Sequence, residues 1–303
     1  MRLLALPLFV LTTFAVEPEV AVIVAFTEGP ASDSDGNVYF TETTFQRIMK
    51  LAKDGTLTVF REDSNGANGL LVDPKDNLVI CEGGDKKKGG KPRITSIDLK
   101  TGEKKVRADN FNGKPFNQPN DISIDSQGRI YFTDFPGPNP VAVYRIDPDN
   151  KVTRLLAAPQ IEKPNGILIA PDDKTLYLVE ASQIEGGARM IRAYDLLPDG
   201  TVKNMRVFHN FYPGRSADGL CIDTKGNVYA AAGLHRRRGT SETLDTKCGV
   251  HVFAPNGKLL RFIPIPEDTI TNCGFGGPDM KTLYVTAGKT LFKIANDVPG
   301  TRR

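Results

Sequence analysis

"PNDISIDSQGRIYFTD", residues 119–134, reads as two short β-strands joined by a tight Asp-Ser-Gln-Gly turn. It opens, however, with an amide and a carboxylate, Asn120 and Asp121, where a buried strand would carry apolar side chains. The same pattern recurs as "TEGPASDSDGNVYFTE" (27–42), "ANGLLVDPKDNLVICE" (67–82), "PNGILIAPDDKTLYLVE" (164–180), "ADGLCIDTKGNVYAAA" (217–232) and "TNCGFGGPDMKTLYVTA" (271–287). Each copy has a polar residue near its start, a short apolar strand, a turn rich in Asp, Gly, Pro and Lys, and then an alternating strand. The polar anchors Glu28, Asn68, Asn120, Asn165, Asp218 and Asn272 are 40, 52, 45, 53 and 54 residues apart. A repeat of that length, built from strands and lacking helical periodicity, is the signature of propeller blades.

A second hairpin follows most copies, as in "RIMKLAKDGTLTVF" (47–60), "AVYRIDPDNKVTRLL" (142–156), "RAYDLLPDGTVKNMRVF" (192–208) and "GVHVFAPNGKLLRFI" (249–263). Asp-Gly, Asp-Asn or Asn-Gly stands at each turn, and these residues tolerate the positive φ that tight hairpins require. The expectation is an all-β six-bladed β-propeller of four-stranded antiparallel blades, forming one domain over residues 16–303. The last repeat has a single further strand, "TLFKI" (290–294), whereas "EVAVIVAF" (19–26) has no hairpin partner. The N-terminal strand is therefore expected to complete blade six and remove an exposed edge.

Composition fits an ordinary globular protein. Of 303 residues 40% are hydrophobic and 25% charged, with a net charge of +3 spread along the chain. There is no basic stripe to suggest a nucleic-acid partner, and the run Lys86–Lys88 reads as a solvated loop. The opening "MRLLALPLFVLTTFAVEPEV" resembles an export signal over residues 1–15: Arg2, a short apolar run, and a small-residue cleavage pattern at Thr13-Phe14-Ala15. A periplasmic or secreted protein is expected, with no membrane insertion of the mature chain. The four cysteines, Cys81, Cys221, Cys248 and Cys273, form no CxxC pair and fit no zinc pattern. Cys248 and Cys273 are nearest in sequence, and buried free thiols are an equal expectation.

The first strand of each blade lines the channel of a propeller, so equivalent positions in six blades form a ring. Asn and Asp at strand starts can simply satisfy nearby amides. A ring in which two carboxylates, Glu28 and Asp218, converge with four amides would, however, repel itself and carry a heavy desolvation cost unless a cation sat inside it. Oxygen donors without Cys or His suit a hard, flexibly coordinated ion, Ca2+ above all, with Mg2+, Mn2+ or Zn2+ as alternatives.

The repeated NG/ND/DG pattern, the "TEGP" opening and the spacing from Asn120 to Asn165 to Asp218 resemble the gluconolactonase and regucalcin (senescence marker protein) superfamily over residues 20–295. The chain is also similar to calcium-dependent phosphotriesterases and, more distantly, to paraoxonases. The resemblance implies a divalent ion held by Glu28, Asn120, Asn165 and Asp218, with Asp218 also the catalytic base or proton shuttle. It further implies hydrolysis of a small-molecule lactone. Regucalcin-type members carry an arginine two residues before the third-blade asparagine, where this chain has Gln118, and a glutamate in a loop that here reads "FPGPNP" (135–140).

Opening a lactone beside such an ion needs no protein nucleophile, and no GxSxG elbow is present. The longest loop expected near the ring is "LHRRRGTSETLDTK" (234–247). It carries His235, a candidate acid/base or substrate ligand, and three arginines, Arg236 to Arg238. Asn68, Gln118, Asp121 and Asn272 complete the candidate substrate contacts, whereas His209 and His251 fall in strand patterns and read as packing. Two rivals share this sequence pattern: a phosphotriesterase using the same ion, and a binding propeller whose ion is structural.

Overall fold

A computed structural model describes residues 17–302; the expected export signal over residues 1–15 lies outside them. Six four-stranded antiparallel sheets follow one another around a central channel, as the repeat requires. From the axis outward, blade one is Thr27–Ser32, Val38–Glu42, Arg47–Leu51 and Leu57–Arg61, and blade two is Ala67–Val72, Asn77–Glu82, Arg93–Asp98 and Lys104–Ala108. Blade three is Pro119–Ile124, Ile130–Asp134, Ala142–Ile146 and Val152–Ala157; blade four is Pro164–Ile169, Thr175–Ala181, Arg189–Leu196 and Val202–Asn210. Blade five is Ala217–Ile222, Val228–Ala232, Gly249–Phe253 and Leu259–Pro264. Blade six takes Ile270–Gly276, Thr282–Ala287 and Thr290–Ala295 from the C-terminal end of the chain and Glu19–Ile23 from the N-terminal end. The pairing of Glu19 with Lys293 and Ile23 with Thr290 is the expected closure.

Apolar side chains of consecutive blades interlock between sheets. Tyr131, Val143, Ile167 and Leu178 join blades three and four, while Val250, Ile263, Cys273 and Val285 join five and six. The repeated turn aspartate has a local task at the end away from the anchors. Asp125 accepts the amides of Gln127 and Arg129, and Asp223 those of Lys225 and Asn227, closing each inner hairpin.

Two small elements depart from expectation. Lys86–Lys88 forms a single 3-10 turn, capped by the Asp85 carboxylate, rather than irregular loop. Asn110–Phe111 pairs with Lys114–Pro115 through an Asn112-Gly113 turn, a hairpin ahead of blade three. After the last strand the chain crosses the channel end opposite the anchors. The Thr224 amide donates to Pro299 O, Gly300 N to Met280 O, and Thr301 N to Ile222 O. A cavity of about 140 Å3 runs along the axis, from Gly29, Asp121 and Asn272 to this C-terminal floor at Thr301.

Candidate functional site

Each inner strand is irregular at its anchor. Ladder pairing slips between Glu28 and Ala31, Ala67 and Leu70, Pro119 and Ile122, Pro164 and Ile167, Ala217 and Leu220, and Ile270 and Asn272. Such bulges re-aim side chains that a regular strand would send elsewhere. Hydroxyls of the neighbouring strand hold several of them: Thr133 accepts the Asp121 amide, Thr286 accepts the Asn272 amide, and Thr41 donates to Asn68 O. The glycine of the NG/DG pattern lets adjacent blades approach. A Cβ on Gly166 would lie 2.4 Å from Asp218 O, and one on Gly219 2.0 Å from the Asn272 amide. Blade three alone replaces that glycine with a carboxylate, Asp121.

The side chains brought together form one connected set. Arg215, buried and three residues before Asp218, donates from Nη2 to Asp218 Oδ2 at 2.6 Å and from Nη1 to Ile270 O at 2.7 Å. The Asn165 amide bonds the same aspartate, and the Asn272 amide bonds Asp121. Glu28 Oε2 accepts its neighbour's amide, Gly29 N, at 3.1 Å and faces both Asp218 and Asp121. Burial, then repulsion from Asp218 and Asp121, pushes the Glu28 carboxyl well above its ordinary range. Asp121 is pushed up to about 7, chiefly by burial, against the pull of the Ile122 amide. Burial raises Asp218 as well, opposed by Arg215 and Asn165.

Three carboxyls thus face one another with one guanidinium among them, in a cluster starved of positive charge. Among the described residues no group of three or more His, Cys, Asp and Glu has the arrangement of a metal site. Glu28 and Asp218 would need the amide oxygens of Asn120 and Asn165, at the heads of neighbouring inner strands, to complete an oxygen-donor set. That all-oxygen, charge-deficient set fits a hard divalent ion.

The remaining expected residues divide by position. Asn68 and Asn120 are half-buried at the ring, and Asn272 is buried in it. Gln118 is exposed, its amide held by Asp134 Oδ1 at 2.7 Å. His235 is exposed on its loop, with Nε2 2.7 Å from Ile265 O and its amide on Asp268; these partners tie it to the blade-six side rather than to the anchors. His209 and His251 pack against Phe253 and Phe262, and burial lowers both imidazoles.

Three cations escaped the reading of the sequence. Arg215 is the first. Arg189 is the second: fully buried and, among the described residues, in no ion pair with a carboxylate, it donates to Ser182 O, Ile184 O, Pro213 O and Ser241 O, and so pins the 234–247 loop to blade four. Lys163, two residues before Asn165, lies with Nζ 5.3 Å from the Phe135 ring and 3.0 Å from Gln183 Oε1. A visible signal was also passed over: four of the six copies end in an acid. Glu42, Glu82, Asp134 and Glu180 are all buried there, and Asp134 and Glu180 accept the amides of residues 117–118 and 162–163, just ahead of Asn120 and Asn165.

The SMP-30/gluconolactonase/LRE-like region matches residues 26–289. A gluconolactonase of Zymomonas mobilis is 26% identical over 91% of this chain and 80% of its own length. The solved gluconolactonase of Xanthomonas campestris is 27% identical, covers 92% of this chain and 89% of its own, and superposes with a TM-score of 0.76. Regucalcin of Agrobacterium tumefaciens, solved as a calcium-binding protein, shares the fold at 20% identity and a TM-score of 0.75, over 96% of this chain and 97% of its own. With the family profile spanning all six blades, this chain belongs to the SMP-30/gluconolactonase/LRE-like family.

Proposed function

We propose that this protein hydrolyses lactones, sugar lactones in particular, at the anchor end of its channel, and that it does so outside the cytoplasm with a divalent cation, Ca2+ above all. The carrying observation is the convergence of Glu28, Asp121 and Asp218 with Arg215 fixed on Asp218. Glu28, Asn120, Asn165 and Asp218 would hold the cation, which when bound supplies a Lewis acid to the substrate carbonyl. Asp218 keeps 19% of its side chain open and is aimed by Arg215, so it can accept the proton of an attacking water. The lactonase relatives support the substrate class, and the apolar leader supports export.

The test is a panel of γ- and δ-lactones followed by pH indicator on folded, calcium-loaded protein. Turnover of polyhydroxylated lactones is expected. Failure on every lactone would overturn the reading, and turnover of phosphotriesters instead would assign the protein to the rival chemistry.

Lys163 gives a second expectation. Its ammonium is drawn toward Glu242 and Asp218, yet its hydrogen bond goes to a neutral amide. A half-buried donor of this kind is free to serve substrate oxygens. Lys163→Met should raise KM for polyhydroxylated lactones about tenfold with kcat little changed, the pattern of lost uniform binding. Equal loss on lactones without hydroxyls would reject that role.

A further inference from the structure

We propose that Cys221 and Cys273 are a cross-linking site, whose oxidation to a disulfide staples the inner strand of blade five to that of blade six beside the anchor ring. All four cysteines are buried free thiols in the structure. Cys221 and Cys273 alone among them face each other, with Sγ atoms 3.3 Å apart on adjacent inner strands. Cys248, nearer to Cys273 in sequence, instead bonds Glu267 O. The Sγ separation exceeds a covalent S–S bond by about 1.3 Å, which side-chain rotation can close without moving either strand far.

Both thiols line the axial cavity, which begins at Asp121 and Asn272. Cys221 lies three residues after Asp218, and Cys273 follows Asn272. The bond would therefore join the blade that supplies Arg215 and Asp218 to the blade whose Ile270 carbonyl anchors Arg215. It would also close a covalent loop from the inner strand of blade five to that of blade six.

The reaction consumes one small disulfide, or a disulfide-bonded oxidoreductase. One cysteine, as thiolate, displaces a thiol from the oxidant to form a mixed disulfide, and the second then displaces the other. Two protons and two electrons leave the pair, and two oxidant thiols are released. Burial pushes the Cys221 thiol well above its ordinary value, so the exchange belongs to folding or transient opening rather than to the closed ring.

The full chain would be refolded in a glutathione redox buffer and mapped by mass spectrometry without reduction. A linked peptide pair joining Cys221 to Cys273, lighter by two hydrogens, is expected, with Cys81 and Cys248 free. Oxidised protein should melt roughly 5–8 °C above reduced protein, given the loop length. Cys221→Ser should abolish the difference, and the double variant Cys81→Ala, Cys248→Ala should retain it. Four free thiols after oxidative refolding, or a bond involving Cys81 or Cys248, would overturn the proposal, and the peptide map decides this even if a variant folds poorly.

Discussion

Asp218→Asn should lower lactone turnover about a thousandfold, within the range ascribed to a positioned general base, and chelation with EDTA should remove activity to a similar extent until calcium is restored. The substitution keeps the size of the side chain and an oxygen, but removes the negative charge and the proton acceptor. It also takes from Arg215 its carboxylate, held at 2.6 Å. Breaking a buried pair is ordinarily costly. Here, though, the same change relieves repulsion against Glu28 and Asp121, so the metal-free melting temperature should move little. The rise in melting temperature on adding calcium should shrink, because a ligand that binds the folded state stabilises it in proportion to its affinity. Full activity in the variant would remove Asp218 from the chemistry. Lost activity with an unchanged calcium response would leave it as a base and exclude it as a ligand.

The fold was legible because a propeller writes its geometry into the chain six times. Any one Asn-Gly or Asp-Gly could have been a turn; six polar anchors at blade spacing, three of them followed by glycine as Asn-Gly or Asp-Gly, could not, and the ring of anchors followed from the repeat alone. Part of the pattern was read without its reason. The glycine after Asn165 stands there because the carbonyl of Asp218, 52 residues further on, occupies the place of its side chain. What stayed hidden was every contact made between blades by a residue outside the repeat. Arg215 matches no equivalent in the other copies, Lys163 looks like a surface lysine, and Arg189 stands at the start of a strand where a solvated arginine is the ordinary expectation. The same limit applies to sulfur: sequence distance favoured Cys248 with Cys273, whereas neighbouring inner strands place Cys221 against Cys273. His235, conspicuous beside three arginines, illustrates the opposite case, since its partners are the Ile265 carbonyl and the Asp268 carboxylate in the connection between blades five and six.

Glu82→Gln should be among the most destabilising polar substitutions in the protein, by roughly 3–5 kcal/mol, the cost of breaking a buried charge network. Glu82 ends the second strand of blade two and is fully buried. Its Oε1 receives Arg61 Nη1 at 2.7 Å, Thr95 Oγ1 at 2.7 Å and Lys104 Nζ at 3.1 Å, while Oε2 receives Arg93 Nε at 2.7 Å and Asn65 Nδ2 at 2.8 Å. All five partners are donors. A glutamine must turn its NH2 toward one of the two groups, leaving donors facing donors and three cations without their anion. Burial alone would raise this carboxyl, yet Arg61, Asn65 and Thr95 outweigh it and hold the group down at about 2. Asp134, equally placed in blade three but bonded to two backbone amides, is pushed up by burial to about 6. Because the folded value for Glu82 lies below the unfolded one, near 4.3, its contribution is fully present above that pH and fades as pH falls toward 2. The gap in melting temperature between the native protein and Glu82→Gln should therefore be wide at pH 7, roughly 5–8 °C for a chain of this length, and clearly narrower at pH 3. Thermal melts of both proteins at the two pH values decide the matter: a gap that stays constant would mean that the loss comes from packing, with the ionised carboxylate contributing nothing of its own.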